Sequence, residues 1–280
     1  MLRILLPTDF SPTAGNAFAY AYASQLAAQI EAEIVLIHAY SLIEEADLFT
    51  PEVEIRRLRA SREAEAMQIF ETYKQQLQQH NLAVPLSVVL KHGYPMEVIG
   101  EACIELLPDL LVMGTKGGGN QLDVLLGSVT ARVIQDVEVP VLAVPERAIY
   151  RGIGKIAYAT DLETCDHDIA ARVGQLAARL DAHIVCVHVG DKLPQHLGLE
   201  ELRQIYQRDT GYDKLDLYLF PDDDVAAGLQ TFIHSQDIDL LAVVAHRRSI
   251  MQRLFHQSLT RKLALTLDIP LLAYHELIVR

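Results

Sequence analysis

The sequence predicts an α/β protein made of two tandem domains, each an open five-stranded parallel sheet covered by helices. Three observations point there. Short apolar runs alternate with amphipathic stretches along the whole chain, the pattern of buried parallel strands joined by helices. Strand-like segments recur in the same order in the two halves. A glycine-rich loop in the first half stands directly between a strand and a helix.

The alternation places strands in the first half near 2–8, 33–39, 85–90, 109–114 and 140–145, with helices near 13–30, 51–80, 95–107 and 128–137. Ser11 followed by Pro12 opens the first helix with a cap and an N1 proline. Phe18, Tyr22 and Leu26 then mark one face at i, i+4 spacing. A charged insertion runs from about Ser41 to Asn81, and Glu52/Arg56 and Arg59/Glu63 sit there at the spacing of helical ion pairs. The second half repeats the plan, with strands near 155–160, 183–188, 214–219, 238–244 and 269–274, and lacks about twenty residues of that insertion.

The repeat is visible residue by residue. Arg3-Ile4-Leu5-Leu6-Pro7-Thr8-Asp9 returns as Lys155-Ile156-Ala157-Tyr158-Ala159-Thr160-Asp161. Glu33 to His38 returns as His183 to His188, Asp109 to Met113 as Asp239 to Val243, and Val139 to Val144 as Ile269 to Tyr274. Gly152 and Gly154 mark a linker, which gives domains 1–147 and 154–280.

Bulk properties exclude several classes. A chain of 280 residues, half of them hydrophobic, is long enough for two cores. A formal net charge of -13 argues against a nucleic-acid surface. The acidity is uneven: residues 1–150 hold 10 basic against 19 acidic residues, and residues 151–280 hold 14 against 18. Cys103, Cys165 and Cys186 are odd in number and widely spaced, which fits a reducing compartment. The opening apolar run is too short for a signal peptide, and no run is long enough to span a membrane. A soluble cytoplasmic protein is expected.

Function is carried by Gly114 to Ser128, GTKGGGNQLDVLLGS, a Gly-x2-Gly-x9-Gly-Ser array. Glycines at those offsets let backbone amides approach a bulky anion, since a Cβ would block them. Ser128 is placed to cap the next helix, whose first N–H groups lack partners within it. Ligands on open parallel sheets bind outside the carboxyl ends of strands, where strand order reverses. Pro7-Thr8-Asp9, Ile37-His38-Ala39 and the glycine loop should therefore meet around a nucleotide. Its phosphates would lie on Gly117, Gly127 and the Ser128–Val129 amides, and its base near the backbone of the second strand.

These segments resemble the universal stress protein family, over the whole chain, as two family domains in tandem. The Pro-Thr-Asp strand end, the His-ended second strand, the loop and the Val-Pro-Val-Leu-Ala-Val strand at 139–144 carry the likeness. The resemblance implies a Rossmann-like, adenine-nucleotide alpha-hydrolase-like fold, a role in stress response, and ATP as ligand, with Mg2+ on its phosphates. It implies that Asp9, beside Pro7 and Thr8, contacts the ribose or base and that Ile37 reads adenine through its backbone. Met113, Gly114, Lys116 and Gly117 would lead into and line the phosphates, with Gly127, Ser128 and Val129 closing over them and Thr130 a turn further on. It also implies that the last strands of the two domains, 140–145 and 269–274, pair within the chain; a homodimer is left open.

The second copy departs from the pattern. Aligned on its small residues, Ala245-His246-Arg247-Arg248 stands for Gly114-Thr115-Lys116-Gly117, and Gln257-Ser258-Leu259-Thr260 for Gly127 to Thr130, one residue closer. Arg248 and Gln257 would fill space that the glycines leave, so ATP binding of the same kind is not expected there. The stretch Leu240–Leu267 is basic, with His246, Arg247, Arg248, Arg253, His256, Arg261 and Lys262 and no acid. Pairing with the acidic first half is expected in preference to a second anion site.

Other chemistry finds little support. Eight of the eleven histidines follow residue 160, but Cys165, His167, His183, Cys186 and His188 fit no metal spacing, and His183 and His188 should face opposite ways on a strand. Gly152-Ile153-Gly154-Lys155-Ile156-Ala157 precedes a strand where a dinucleotide fingerprint must follow one. Walker-type and nucleophile-elbow motifs are absent. Asp123 either faces solvent or helps hold a metal. No base or nucleophile with a visible partner stands near the loop, so binding with little or slow hydrolysis is expected. The alternatives are an adenylyl- or phosphoryl-transferring enzyme and a nucleotide-free scaffold.

Overall fold

A computed structural model describes residues 1–10, 14–42, 49–115, 128–162, 167–190, 198–245, 263 and 267–275; for 14–18 and 128 only the backbone is described. The order is β1 (Leu2–Pro7), α1 (Ala14–Ile30), β2 (Ala32–Tyr40), α2 (Glu52–Gln79), β3 (Leu86–His92), α3 (Pro95–Leu106), β4 (Leu110–Gly114), α4 (Ser128–Asp136) and β5 (Val141–Val144). The repeat follows as β6 (Lys155–Ala159), α5 (His167–Leu180), β7 (His183–Val189), α6 (Leu199–Thr210), β8 (Leu215–Phe220), α7 (Val225–Ser235), β9 (Leu240–Ala245) and β10 (Leu271–His275). The Ser11–Pro12 cap lies outside the described residues.

The two predicted sheets are halves of one. Ten strands run in the order β3-β2-β1-β4-β5-β10-β9-β6-β7-β8. Each half is parallel throughout, and β5 and β10 join them antiparallel, with Leu271 opposite Ala143 and Ala273 opposite Val141. The central strands, such as Leu110–Met113 and Val141–Val144, read as unbroken apolar runs because both faces are covered, whereas the edge strands β3 and β8 are partly exposed. One face carries α1, α2, α5 and α6 over residues such as Ile4, Leu36, Ile156 and Cys186; the other packs residues of α3, α4 and α7 on Leu5, Ile37, Leu111 and Leu241. Each such fully buried aliphatic side chain contributes about 1.5–3 kcal/mol. Across the seam, Gln29 Nε2 on α1 donates to the Leu180 carbonyl of α5 at 3.5 Å, and Tyr22 meets Tyr150 of the linker edge-on at 4.9 Å.

Backbone bonding recurs between the halves and corrects one alignment. Asp109 Oδ2 accepts the Arg3 N–H at 2.8 Å, and Asp239 Oδ2 accepts that of Lys155 at 2.9 Å. Leu111 N–H donates to Pro140 and Leu241 N–H to Pro270; Val137 donates to Val133 and Leu267 to Leu263. The offset is 130 residues before and after the loop, as the pairs 111/241 and 133/263 show. Gly114 therefore corresponds to Val244, Gly117 to Arg247 and Gly127 to Gln257, with no difference in length. Matching Gly114 to Ala245 follows residue size against strand register, and register is what fixes position.

The insertion forms α2, 28 residues against 12 in its counterpart α6. Arg56 pairs with Glu52 at 2.8 Å as expected. The expected Arg59–Glu63 pair is not formed, because Glu63 accepts the Tyr40 hydroxyl at 2.8 Å instead. His183 and His188 serve separately: His183 Nε2 lies 2.9 Å from Asp216, and His188 Nδ1 lies 3.0 Å from the Thr160 carbonyl. Among the described residues, no helix is long and apolar enough to cross a membrane, and no three His, Cys, Asp or Glu cluster as metal ligands.

Candidate functional site

In the first half the chain goes from β1 outward through β2 to β3, then returns to β4 on the other side of β1. Strand order reverses there, at the carboxyl ends of β1 and β4. β1 stops first. Thr8 N–H donates to the Ile37 carbonyl at 2.9 Å, and the chain then turns away through Asp9 and Phe10. β2 continues three residues past Ile37 to Tyr40, so a notch opens over the end of β1.

The walls of the notch follow from ladder alternation. On β2, Ile34 N–H donates to Pro85 and the Tyr40 carbonyl accepts from Gly93, both toward β3. The peptide groups of Ile37 and Ala39 therefore face β1. The Ile37 carbonyl is occupied by Thr8, whereas β1 has ended by the level of Ala39. On β4, Leu111 and Thr115 N–H groups donate to β5, at 2.9 and 3.0 Å, so the Gly114 peptide turns toward β1. Sequence reasoning gave Ala39 no role of its own: its signal is main-chain direction, which composition does not carry.

The floor is the Thr8–Asp9–Phe10 turn. The Thr8 hydroxyl accepts the Phe10 N–H at 3.0 Å, and the Tyr73 ring of α2 lies 6.0 Å from that of Phe10. His38 Nδ1–H donates to the Thr8 carbonyl at 2.9 Å, and its ring lies against Phe10 with centroids 4.6 Å apart. Phe10 is left-handed, with φ 54°. The second half repeats the device: Leu162 N–H donates to Thr160 Oγ1 at 3.0 Å, Tyr206 lies 2.5 Å from that hydroxyl, and Leu162 has φ 60°. Thr8 and His38 thus hold the turn, and the exposed Asp9 is what the turn presents.

The remaining predicted residues sort by position. Pro7 ends β1, and Met113 is buried in the apolar layer toward α3 and α4. Ser128 and Val129 open α4. Thr130 Oγ1 donates to the Gly114 carbonyl at 3.0 Å, which ties the first turn of α4 to the end of β4. Lys116, Gly117, Asp123 and Gly127 lie outside the described residues. The notch, the exposed carboxylate and the nearby helix N-terminus are of a chemistry that suits a polyanion with a hydrogen-bonding head.

Two expectations arise here. Thr8→Val removes an acceptor for a buried N–H and should lower unfolding stability by about 1–3 kcal/mol in urea titrations, as should Thr160→Val. Burial holds His38 below its ordinary pKa of 6.5, against the opposing pull of the Thr8 carbonyl and Asp9. The unfolded chain then binds the proton more readily, so this contribution is present above pH 6.5 and is lost as pH falls toward the folded-state value. Stability of His38→Gln, followed from about pH 7.5 down to about pH 5, should decline less steeply than wild type.

The sequence profile of the universal stress protein family matches residues 1–145, which contain the whole notch. The chain belongs to the universal stress protein family. Among curated members, one from Methanocaldococcus jannaschii is 31% identical over 159 residues, spanning 52% of this chain and 95% of that protein. Another, from Thermus aquaticus, is 34% identical over 146 residues, spanning 50% of this chain and 96% of its own. A solved universal stress protein from Archaeoglobus fulgidus covers 99% of this chain and 97% of its own with a TM-score of 0.72 and 15% identity, a likeness of fold over both halves.

Proposed function

We propose that this universal stress protein binds ATP in residues 1–147, with Mg2+ on the phosphates, and acts in stress response by nucleotide-dependent regulation with little or slow hydrolysis. One observation carries the reading: strand order reverses at a notch whose walls are main-chain groups of Ala39 and Gly114, with α4 tied to its edge through Thr130. The base would lie against the β2 wall, at Ala39 beyond the occupied carbonyl of Ile37. The ribose would lie near Asp9 and the phosphates along Gly114, Lys116, Gly117, Gly127 and the Ser128–Val129 amides. The loop spelling, which resembles that of the family's ATP-binding branch, supports ATP over other polyanions.

Residues 154–280 act in this proposal as a degenerate partner domain. The positions of Ala39 and Gly114 become Val189 and Val244, and the position of Gly117 becomes Arg247. Thermal unfolding with and without ATP tests the reading. ATP at 100 times its Kd should stabilise the chain by about 2.7 kcal/mol. No shift at millimolar ATP would contradict it.

A further inference from the structure

Among the described residues, the second half has no counterpart to the amino-terminal turns of α2. At 1.5 Å per residue, α2 is about 42 Å long and α6 about 18 Å. Two contacts fix where those turns go. The Tyr73 ring lies 6.0 Å from that of Phe10, just past the end of β1, while Glu63 accepts from the hydroxyl of Tyr40, the last residue of β2. The helix thus climbs past the carboxyl edge of the sheet beside the notch, and residues 52–62 stand beyond that edge.

Four arginines lie on these turns, and three are neutralised. Arg56 pairs with Glu52 at 2.8 Å, Arg57 with Glu54 at 3.7 Å and Arg62 with Glu65 at 3.1 Å. Among the described residues, Arg59 has no carboxylate at ion-pair distance, since Glu63 is turned to Tyr40. By helical spacing Arg59 and Glu63 lie on the side of the helix that carries Ala66, Phe70, Tyr73 and Leu77, but past the sheet edge both charged side chains are exposed. Its charge acts on the Tyr40 phenol, next to the Ala39 wall.

We infer that Arg59 is a ligand-contacting residue that covers the base of the bound nucleotide, its guanidinium stacked on the purine face. The inference rests on the adenine-nucleotide reading of the notch. The base is favoured over the phosphates by distance. Arg59 overhangs β2, and β4, from which the glycine loop departs, lies two strands away, about 9.5 Å. That separation is about the length of a nucleoside. A planar guanidinium also stacks on π-systems in a way that an ammonium does not.

Calorimetric titration of wild type, Arg59→Ala and Arg59→Lys with ATP, AMP and adenosine tests it. Arg59→Ala should lose about two- to fivefold in affinity for all three ligands alike. Arg59→Lys should recover only part of that loss, and the unliganded thermal midpoint should not move, because Arg59 is exposed. Equal affinity in wild type and Arg59→Ala overturns this inference and leaves the nucleotide reading standing. A loss for ATP and AMP but not adenosine also overturns it, assigning the guanidinium to phosphate. Wild type that binds none of the three removes the nucleotide reading and this inference together.

Discussion

Gly117→Val is expected to abolish the thermal stabilisation that ATP confers while leaving the unliganded unfolding midpoint in place. Gly117 is the second glycine of the Gly-x2-Gly-x9-Gly-Ser array, where the phosphate-binding amides must approach their ligand without a Cβ between. A branched side chain there occupies space intended for phosphate oxygens. At ATP concentrations that stabilise wild type by about 2.7 kcal/mol, the variant should gain nothing measurable. The repeat supplies a natural comparison, since its own chain places Arg247 at the corresponding position. The variant should still bind adenosine, whose contacts are to the β2 wall. A variant that is stabilised by ATP as fully as wild type would place the phosphates elsewhere.

The largest effect on the fold itself is expected from Gly174→Ala in α5. A Cβ built at Gly174 would sit 2.0 Å from the Thr210 carbonyl oxygen and 2.8 Å from its carbon. The obstruction is backbone, so no rotamer change can relieve it, and α5 must separate from the end of α6. Overpacking of this kind costs about 1–3 kcal/mol, and a contact with rigid main chain belongs at the upper end. For a chain of this size, about 3 kcal/mol lowers the midpoint by roughly 6–12 °C. The equivalent position in the first half is Ser24, which is buried and bonds back to the Tyr20 carbonyl at 2.7 Å. Ser24 already carries a Cβ there, so Ser24→Ala introduces no such obstruction and its effect should be far smaller. A scanning-calorimetry midpoint for Gly174→Ala within a degree of wild type would contradict the close approach of α5 and α6.

Much of this architecture is legible in the sequence. Ile34, Val35, Leu36 and Ile37 are all buried, as an unbroken apolar run in a doubly covered sheet must be. The internal repeat exposed the succession of strands along the chain, and the antiparallel seam at 141–144 and 271–275 lies where the family resemblance put it. What escaped depended on three dimensions. The main-chain direction of Ala39 shows in a ladder that ends at Thr8, 31 residues away and just past β1. The Arg59–Glu63 spacing is right for a pair, yet a tyrosine from β2 takes the carboxylate, as tertiary contacts override local preference. The structural roles of His38 and His188 escaped because their partners are carbonyls, which every residue has and no motif can flag.

The most direct measurement is a crystal structure of the full chain grown with ATP. It should show the nucleotide at the carboxyl ends of β1 and β4, with its triphosphate on the loop after Gly114 and its base between Ala39 and Arg59, and no nucleotide at the matching edge of β6 and β9. ATP lying beyond β6 and β9, or the notch over β1 empty under saturating ligand, would contradict the account.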